Sequence, residues 1–141
     1  MNCLFSGTYE HQIDAKRRIR IPAKMKNNLG EGYSLTIGPD NCIWIMPAET
    51  MQTVYGNIMQ IDMGDEQARA SKRKFMRWNC QPEEDNQGRI VLPAHFIQKA
   101  GIEKDLLFIG QGNYIELWSK EKYEAYTEDF EDIDIGRYIK F

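Results

Sequence analysis

The chain is poor in the residues that staple small folds or hold metals. Its 141 residues include three cysteines, Cys3, Cys42 and Cys80, an odd number at wide spacing. That argues against a disulfide framework and for a reducing compartment. Histidine is scarcer still: His11 and His95 stand far apart with no paired cysteine near either, so no metal site is expected. No apolar run approaches the ~20 residues of a membrane helix. The segment MNCLFSGTYEH has neither the basic nor the apolar stretch of an export signal. A cytoplasmic protein with no membrane partner is the expectation.

Charge, by contrast, is plentiful. Charged residues make up 28% and hydrophobic ones 42%, a balance that excludes a disordered tail and fits one ordinary domain. The net charge of −3 argues against a polyanion binder, but the average conceals a gradient. Residues 1–30 carry Lys16, Arg17, Arg18, Arg20, Lys24 and Lys26 against only Glu10 and Asp14. Residues 64–78 carry five cations against Asp65 and Glu66, whereas residues 121–134 set Lys122 against seven carboxylates. A field segregated in this way attracts polyanions at one face and repels them at another.

The most informative feature is an internal repeat. A shift of 71 lays Asp14–Met25 (DAKRRIRIPAKM) over Asp85–Phe96 (DNQGRIVLPAHF), with Arg18 on Arg89, Ile19 on Ile90, Pro22 on Pro93 and Gly30 on Gly101. After a one-residue gap, Ile37-Gly38 falls on Ile109-Gly110 and Ile43 on Ile115. Each copy has a polar turn and then a short alternating strand. Next come a proline suited to opening a helix, a helix closed by glycine, and two strands around a hairpin-type turn. With the strand Thr8–Ile13, each unit is predicted to be a β-hairpin, a short helix and a second hairpin. Some 40 residues of this kind cannot bury enough surface alone, so the two copies are expected to interlock across a pseudo-two-fold axis and share one β core. The fold class is α+β. The predicted boundaries are 1–50 for the first unit, 51–77 for a helical connector, 78–126 for the second unit and 127–141 for an acidic tail. In the connector, Met51, Val54, Tyr55, Ile58 and Ile61 have helical spacing and are assigned to core or interface. A further helix is predicted from Ser119. The tail's Ile133, Ile135, Tyr138, Ile139 and Phe141 suggest that it docks somewhere.

The doubled element Asp-x-x-x-Arg, apolar strand, Pro-Ala resembles the MraZ family, whose chains hold two AbrB-like swapped-hairpin halves. The likeness spans nearly the whole chain. It includes Phe5-Ser6-Gly7-Thr8-Tyr9, Asp14-Ala15-Lys16-Arg17-Arg18, Asp85-Asn86-Gln87-Gly88-Arg89 and Ile109–Trp118. The resemblance implies a bacterial transcription regulator without catalytic activity or cofactor. It further implies binding to short repeated promoter boxes upstream of the division and cell-wall gene cluster, and assembly into closed rings on nucleoid DNA. Family members usually carry glycine at both positions corresponding to Gly88; Arg17 departs from that pattern. If the first turn needs a positive φ there, the non-glycine residue costs about 1–2 kcal/mol.

A basic two-stranded ribbon can enter the major groove of double-stranded DNA. Arg18 is the first candidate, because its planar fork matches guanine or phosphate bidentately. Arg89 is its pseudo-symmetric partner, and Arg20 continues the same strand face. Lys16 and Arg17 are assigned to phosphates. Asp14 and Asp85 are assigned to holding the turns and Gly88 to shaping the second. Taken alone, Asp14 with Arg18 would be an ordinary hairpin ion pair of little worth. Its repetition favours function. The basic run Arg69–Arg77 fits a solvated helix face or subunit contact better than a second DNA site. Two other classes stay open at this level. One is an enzyme using His11 with Asp14, or His95, although no nucleophile, base and orienter cluster in the sequence. The other is an antitoxin-like or scaffold protein whose acidic tail takes a partner.

Overall fold

The computed structural model describes residues 4–140; Cys3 and Phe141, weighed above, lie outside them. In chain order the elements are β1 (Thr8–Gln12), β2 (Arg18–Arg20), α1 (Ala23–Leu29), β3 (Ser34–Ile37), β4 (Ile43–Met46), α2 (Ala48–Ile58) and α3 (Glu66–Arg77). They continue with β5 (Arg89–Val91), α4 (Ala94–Ala100), β6 (Asp105–Gly110), β7 (Ile115–Ser119) and α5 (Lys120–Glu128), then a single 3-10 turn at Ile135–Arg137. The α+β class and the two interlocked AbrB-like units are as the repeat predicted.

The strands form a five-stranded antiparallel sheet in the order β1-β6-β7-β4-β3 and a separate two-stranded ribbon, β2-β5. Both contain a ladder between equivalent strands of the two copies. In the ribbon, Ile19 pairs with Ile90, Arg18 with Val91 and Arg20 with Arg89. In the sheet, Trp44 pairs with Glu116, Ile43 with Leu117 and Ile45 with Ile115. Each register is centred on residues that the repeat equates, so one pseudo-two-fold axis runs through both ladders. The predicted hairpin of β1 with β2 is therefore corrected. Their connecting turn closes, but β1 crosses to pair with β6 of the other copy, Tyr9 opposite Phe108. In the second copy the counterpart of β1 shrinks to one bridge, in which Cys80 and Leu35 exchange two backbone hydrogen bonds of 2.8 and 2.9 Å. Pro82 follows at once and has no N–H with which to extend that ladder.

The ribbon is held down by its own alternation. Ile19 and Ile90 turn inward and are buried with Leu92, Phe96, Met25 and the inner face of the sheet, where Leu35, Ile43, Ile45, Phe108, Ile115 and Leu117 lie. Full burial of each isoleucine stabilises the fold by about 1.5–3 kcal/mol. Pro22 and Pro93 sit at the N-caps of α1 and α4, where a missing N–H costs nothing, and Gly30 and Gly101 follow the last turns with positive φ. The outer face of the sheet carries a smaller cluster of Cys42, Leu107, Ile109 and Trp118, covered by Tyr123 of α5. There α3 is tied down by the Thr36 hydroxyl, which donates to the Phe75 carbonyl at 3.1 Å.

Some apolar residues of the connector and the tail are left uncovered within the single chain. In the connector only Ile58 is buried; Tyr55 is exposed, and Ile61 lies beyond the end of α2. Among the described residues of the tail, 127–140, none is buried. Phe130 stacks on Tyr126, but Ile133, Ile135, Tyr138 and Ile139 face solvent.

Candidate nucleic-acid interface

The two turns match hydrogen bond for hydrogen bond. In the first, the Asp14 carboxylate accepts from the backbone N–H groups of Lys16 (2.9 Å) and Arg18 (2.8 Å), and from Arg18 Nε at 2.6 Å. In the second, Asp85 accepts from the N–H groups of Gln87 (2.8 Å) and Arg89 (2.9 Å), and from Arg89 Nε at 2.9 Å. The backbone N–H of Arg17 donates to the Asp14 carbonyl as that of Gly88 does to Asp85, each at 3.0 Å. Arg17 has φ 63° and Gly88 φ 75°. A turn closed over four residues whose last residue has a positive φ is the three-residue hairpin loop with its bulge. The first turn therefore keeps the shape of the second despite Arg17, and that residue carries the strain of a left-handed conformation. At Gly88 a Cβ would meet nothing within 4 Å, so φ alone asks for glycine.

The chemistry of these turns is electrostatic and local. Backbone N–H donation from Arg18 is the largest influence on the Asp14 carboxyl and holds it below the usual carboxylate range. Arg89 acts on Asp85 in the same way. Each aspartate thus stays ionised and grips the arginine through Nε. Among the described residues, the terminal guanidinium nitrogens of Arg18 and Arg89 make no hydrogen bond. Their side chains are 27% and 26% exposed, so these free N–H edges reach solvent.

The structure brings the candidates together. Arg18, Arg20, Arg89 and Val91 share the outward face of the ribbon, because they alternate with Ile19 and Ile90 and pair with one another across it. Arg20 is exposed, and Lys16 and Arg17 stand exposed on the first turn. Two features of the site escape the sequence pattern. Val91, 50% exposed at the pseudo-symmetric place of Arg20, is an apolar patch among guanidinium groups. Glu84, beside the second turn, is no free acid. It accepts from Lys26 Nζ at 2.8 Å and from the Tyr33 hydroxyl at 2.7 Å. Partial burial pushes its carboxyl up, but the bonds from Lys26 and Tyr33 outweigh this and hold it below its ordinary value. The clamp fastens the second turn to α1 of the first copy.

The histidines do structural work. His11 Nδ1 lies 3.2 Å from the Arg20 carbonyl, and its ring packs edge-on against Phe108. His95 lies tilted over Trp78 and edge-on to Phe96. Among the described residues no group of three or more His, Cys, Asp or Glu could hold a metal ion, and no helix is long and apolar enough to cross a membrane.

Comparison with known proteins decides the relationship. A family model described as "MraZ protein, putative antitoxin-like" matches residues 4–74 and 78–135, one stretch for each copy of the repeat. The chain belongs to the MraZ family. The MraZ relatives include the transcriptional regulator MraZ of Thermoanaerobacter sp. (strain X514), 40% identical over 92% of this chain and 94% of that protein. The transcriptional regulator MraZ of Lachnoclostridium phytofermentans is 40% identical over 89% of both chains. That of Clostridium tetani is 38% identical over 92% of this chain and 94% of its own. These MraZ proteins are named as regulators, not enzymes, and membership of their family removes the enzymatic reading of His11 and His95.

Proposed function

We propose that this protein is a sequence-specific regulator that lays its β2–β5 ribbon in the major groove of promoter DNA. The observation that carries the reading is the outward face of that ribbon, where Arg18, Arg20 and Arg89 stand together on a pseudo-two-fold axis between two matching turns. The major groove is about 12 Å wide and admits a two-stranded ribbon. Aspartate-held Nε leaves each guanidinium fork fixed in direction, so Arg18 and Arg89 meet a guanine edge or phosphate without a large loss of rotamer freedom. Lys16 and Arg17 meet flanking phosphates and set affinity. Val91 offers its methyl groups to a thymine methyl. In this reading residues 1–50 and 78–126 make one reading head, 51–77 joins its halves, and 127–141 serves assembly.

One such head makes few phosphate contacts and binds weakly by itself. A ring homo-oligomer that sets several heads on repeated boxes raises avidity ~10²–10⁴-fold where the geometry allows it. The proposed boxes lie upstream of the division and cell-wall gene cluster, which places the protein in the cytoplasm on nucleoid DNA.

The test is a titration of promoter fragments bearing one or several boxes, over a salt series, with intact protein and Arg18→Ala. Intact protein is expected to need at least two boxes. Arg18→Ala is expected to lose about tenfold or more in affinity while its circular dichroism is unchanged. Equal binding by the two proteins would refute the role given to Arg18. Recovery of a small basic partner with the intact protein, and no promoter binding, would favour the antitoxin-like reading instead.

A further inference from the structure

A groove of about 610 Å³ opens between α3, the end of β3 and the last turn of α4. Its floor is aromatic, made by Phe75 and Trp78, and its rim carries Arg73, Lys74, Arg77 and Lys99 with no carboxylate among the lining residues. Arg77 already stacks over Trp78, its guanidinium carbon 4.6 Å from the ring centre. None of the four cations has a carboxylate within 4 Å among the described residues. The groove shares no residue with the ribbon or its turns. A phosphodiester backbone would satisfy the rim but leave the aromatic floor unfilled.

The same chain carries the complement. Residues 128–134 read Glu-Asp-Phe-Glu-Asp-Ile-Asp, five carboxylates and no cation around two apolar side chains. Phe130 is 47% and Ile133 46% exposed, and none of these residues lines the groove of its own chain. We propose that the acidic, apolar tail of one subunit docks in the basic aromatic groove of the next. Phe130 and Ile133 fill the floor, and the flanking carboxylates meet Arg73, Lys74, Arg77 and Lys99. The volume lies within the ~300–1,000 Å³ of sites that enclose ligands of this size. Such a contact is heterologous, tail to groove, and contacts of that kind close into rings when the rotation allows. The inference rests on the ring reading above and gives it a specific interface.

Light scattering after size-exclusion chromatography, without DNA, tests it on the full-length chain. One variant reverses the tail (Asp129→Lys, Glu131→Lys, Asp132→Lys) and another the groove (Arg73→Glu, Lys74→Glu, Arg77→Glu). All six positions are exposed, and circular dichroism checks folding; Phe130→Ser with Ile133→Ser is a second tail variant that leaves the groove intact. Each variant alone is expected to fall to a smaller mass than wild type, and an equimolar mixture of the two reversals to regain it. An unchanged mass in any correctly folded variant overturns the proposal. So does failure of the mixture to recover, which would place the tail in its own subunit's groove or elsewhere. A groove variant that keeps its mass but loses DNA affinity would make the groove a nucleic-acid site and overturn it too. A wild-type chain that is monomeric at working concentration refutes the ring reading itself, and this interface with it.

Discussion

Arg20 and Arg89 stand directly opposite each other across the β2–β5 ribbon, two like charges at the position where cross-strand side chains come closest. Asp85 compensates Arg89 at 2.9 Å; among the described residues Arg20 has no carboxylate within 4 Å. An arrangement that costs stability in the free protein gains from an anion laid over it.

Arg20→Gln should therefore separate stability from binding. The free protein is expected to gain up to about 1 kcal/mol, most at low salt, because a repulsion has been removed. Affinity for promoter DNA is expected to fall over the same salt range. Thermal melts beside DNA titrations decide it; a variant that loses both stability and affinity would show that Arg20 serves the fold.

Arg17 sits at φ 63° in a turn whose twin uses Gly88. Glycine there relieves about 1–2 kcal/mol of left-handed strain, of which about 0.5–1 kcal/mol is given back as unfolded-chain entropy. Arg17→Gly is thus expected to stabilise the protein by up to about 1.5 kcal/mol. In the proposed binding mode it also removes one phosphate contact, so the slope of log affinity against log salt should shrink by about one. An unchanged slope would mean that Arg17 does not touch DNA.

The duplication, the turns and the class of fold were legible because each is local. Asp14 and Arg18 lie four apart, and proline and glycine punctuate both copies in register. Arg18 and Arg89, singled out by that spacing, share the outward face of the ribbon. Strand partnership was not legible: alternation marks Thr8–Gln12 as a strand, but nothing local says that it pairs with β6 rather than β2. The Glu84–Tyr33 bond joins residues 51 positions apart and escaped notice for the same reason. What covers the connector was not legible, because helical spacing shows an apolar face without showing its partner: Ile58 is buried, and Tyr55, assigned to core or interface, is exposed on the single chain.

Arg20 and Val91 occupy places related by the pseudo-two-fold axis, yet one presents a guanidinium and the other two methyl groups. A box read by this head should be an imperfect dyad, with guanine favoured beneath Arg20 and thymine at the mirror position. Val91→Arg, at an exposed position, is expected to shift preference at that second base from thymine to guanine by about tenfold. Binding to boxes varied one base at a time measures it. An unaltered profile would remove Val91 from the reading face.

His95 lies 4.0 Å from Trp78 and 4.6 Å from Phe96, ring centre to ring centre, and its Nε2 is buried with no hydrogen-bond partner among the described residues. Burial first, and the nearby Arg77 charge second, push its pKa below the ordinary 6.5. A histidine held neutral in the fold contributes stability that is complete above the unfolded value. That contribution is lost as pH falls through the lower folded value. The carboxylates of Asp14, Asp85 and Glu84 are depressed from 3.8, 3.8 and 4.5, so their contributions are lost only at more acid pH. Between pH 7.5 and 5 the melting temperature should fall, and His95→Phe, which keeps the stack with Trp78 without a titrating group, should flatten that fall. Parallel pH profiles for the two proteins would place the acid sensitivity elsewhere in the molecule.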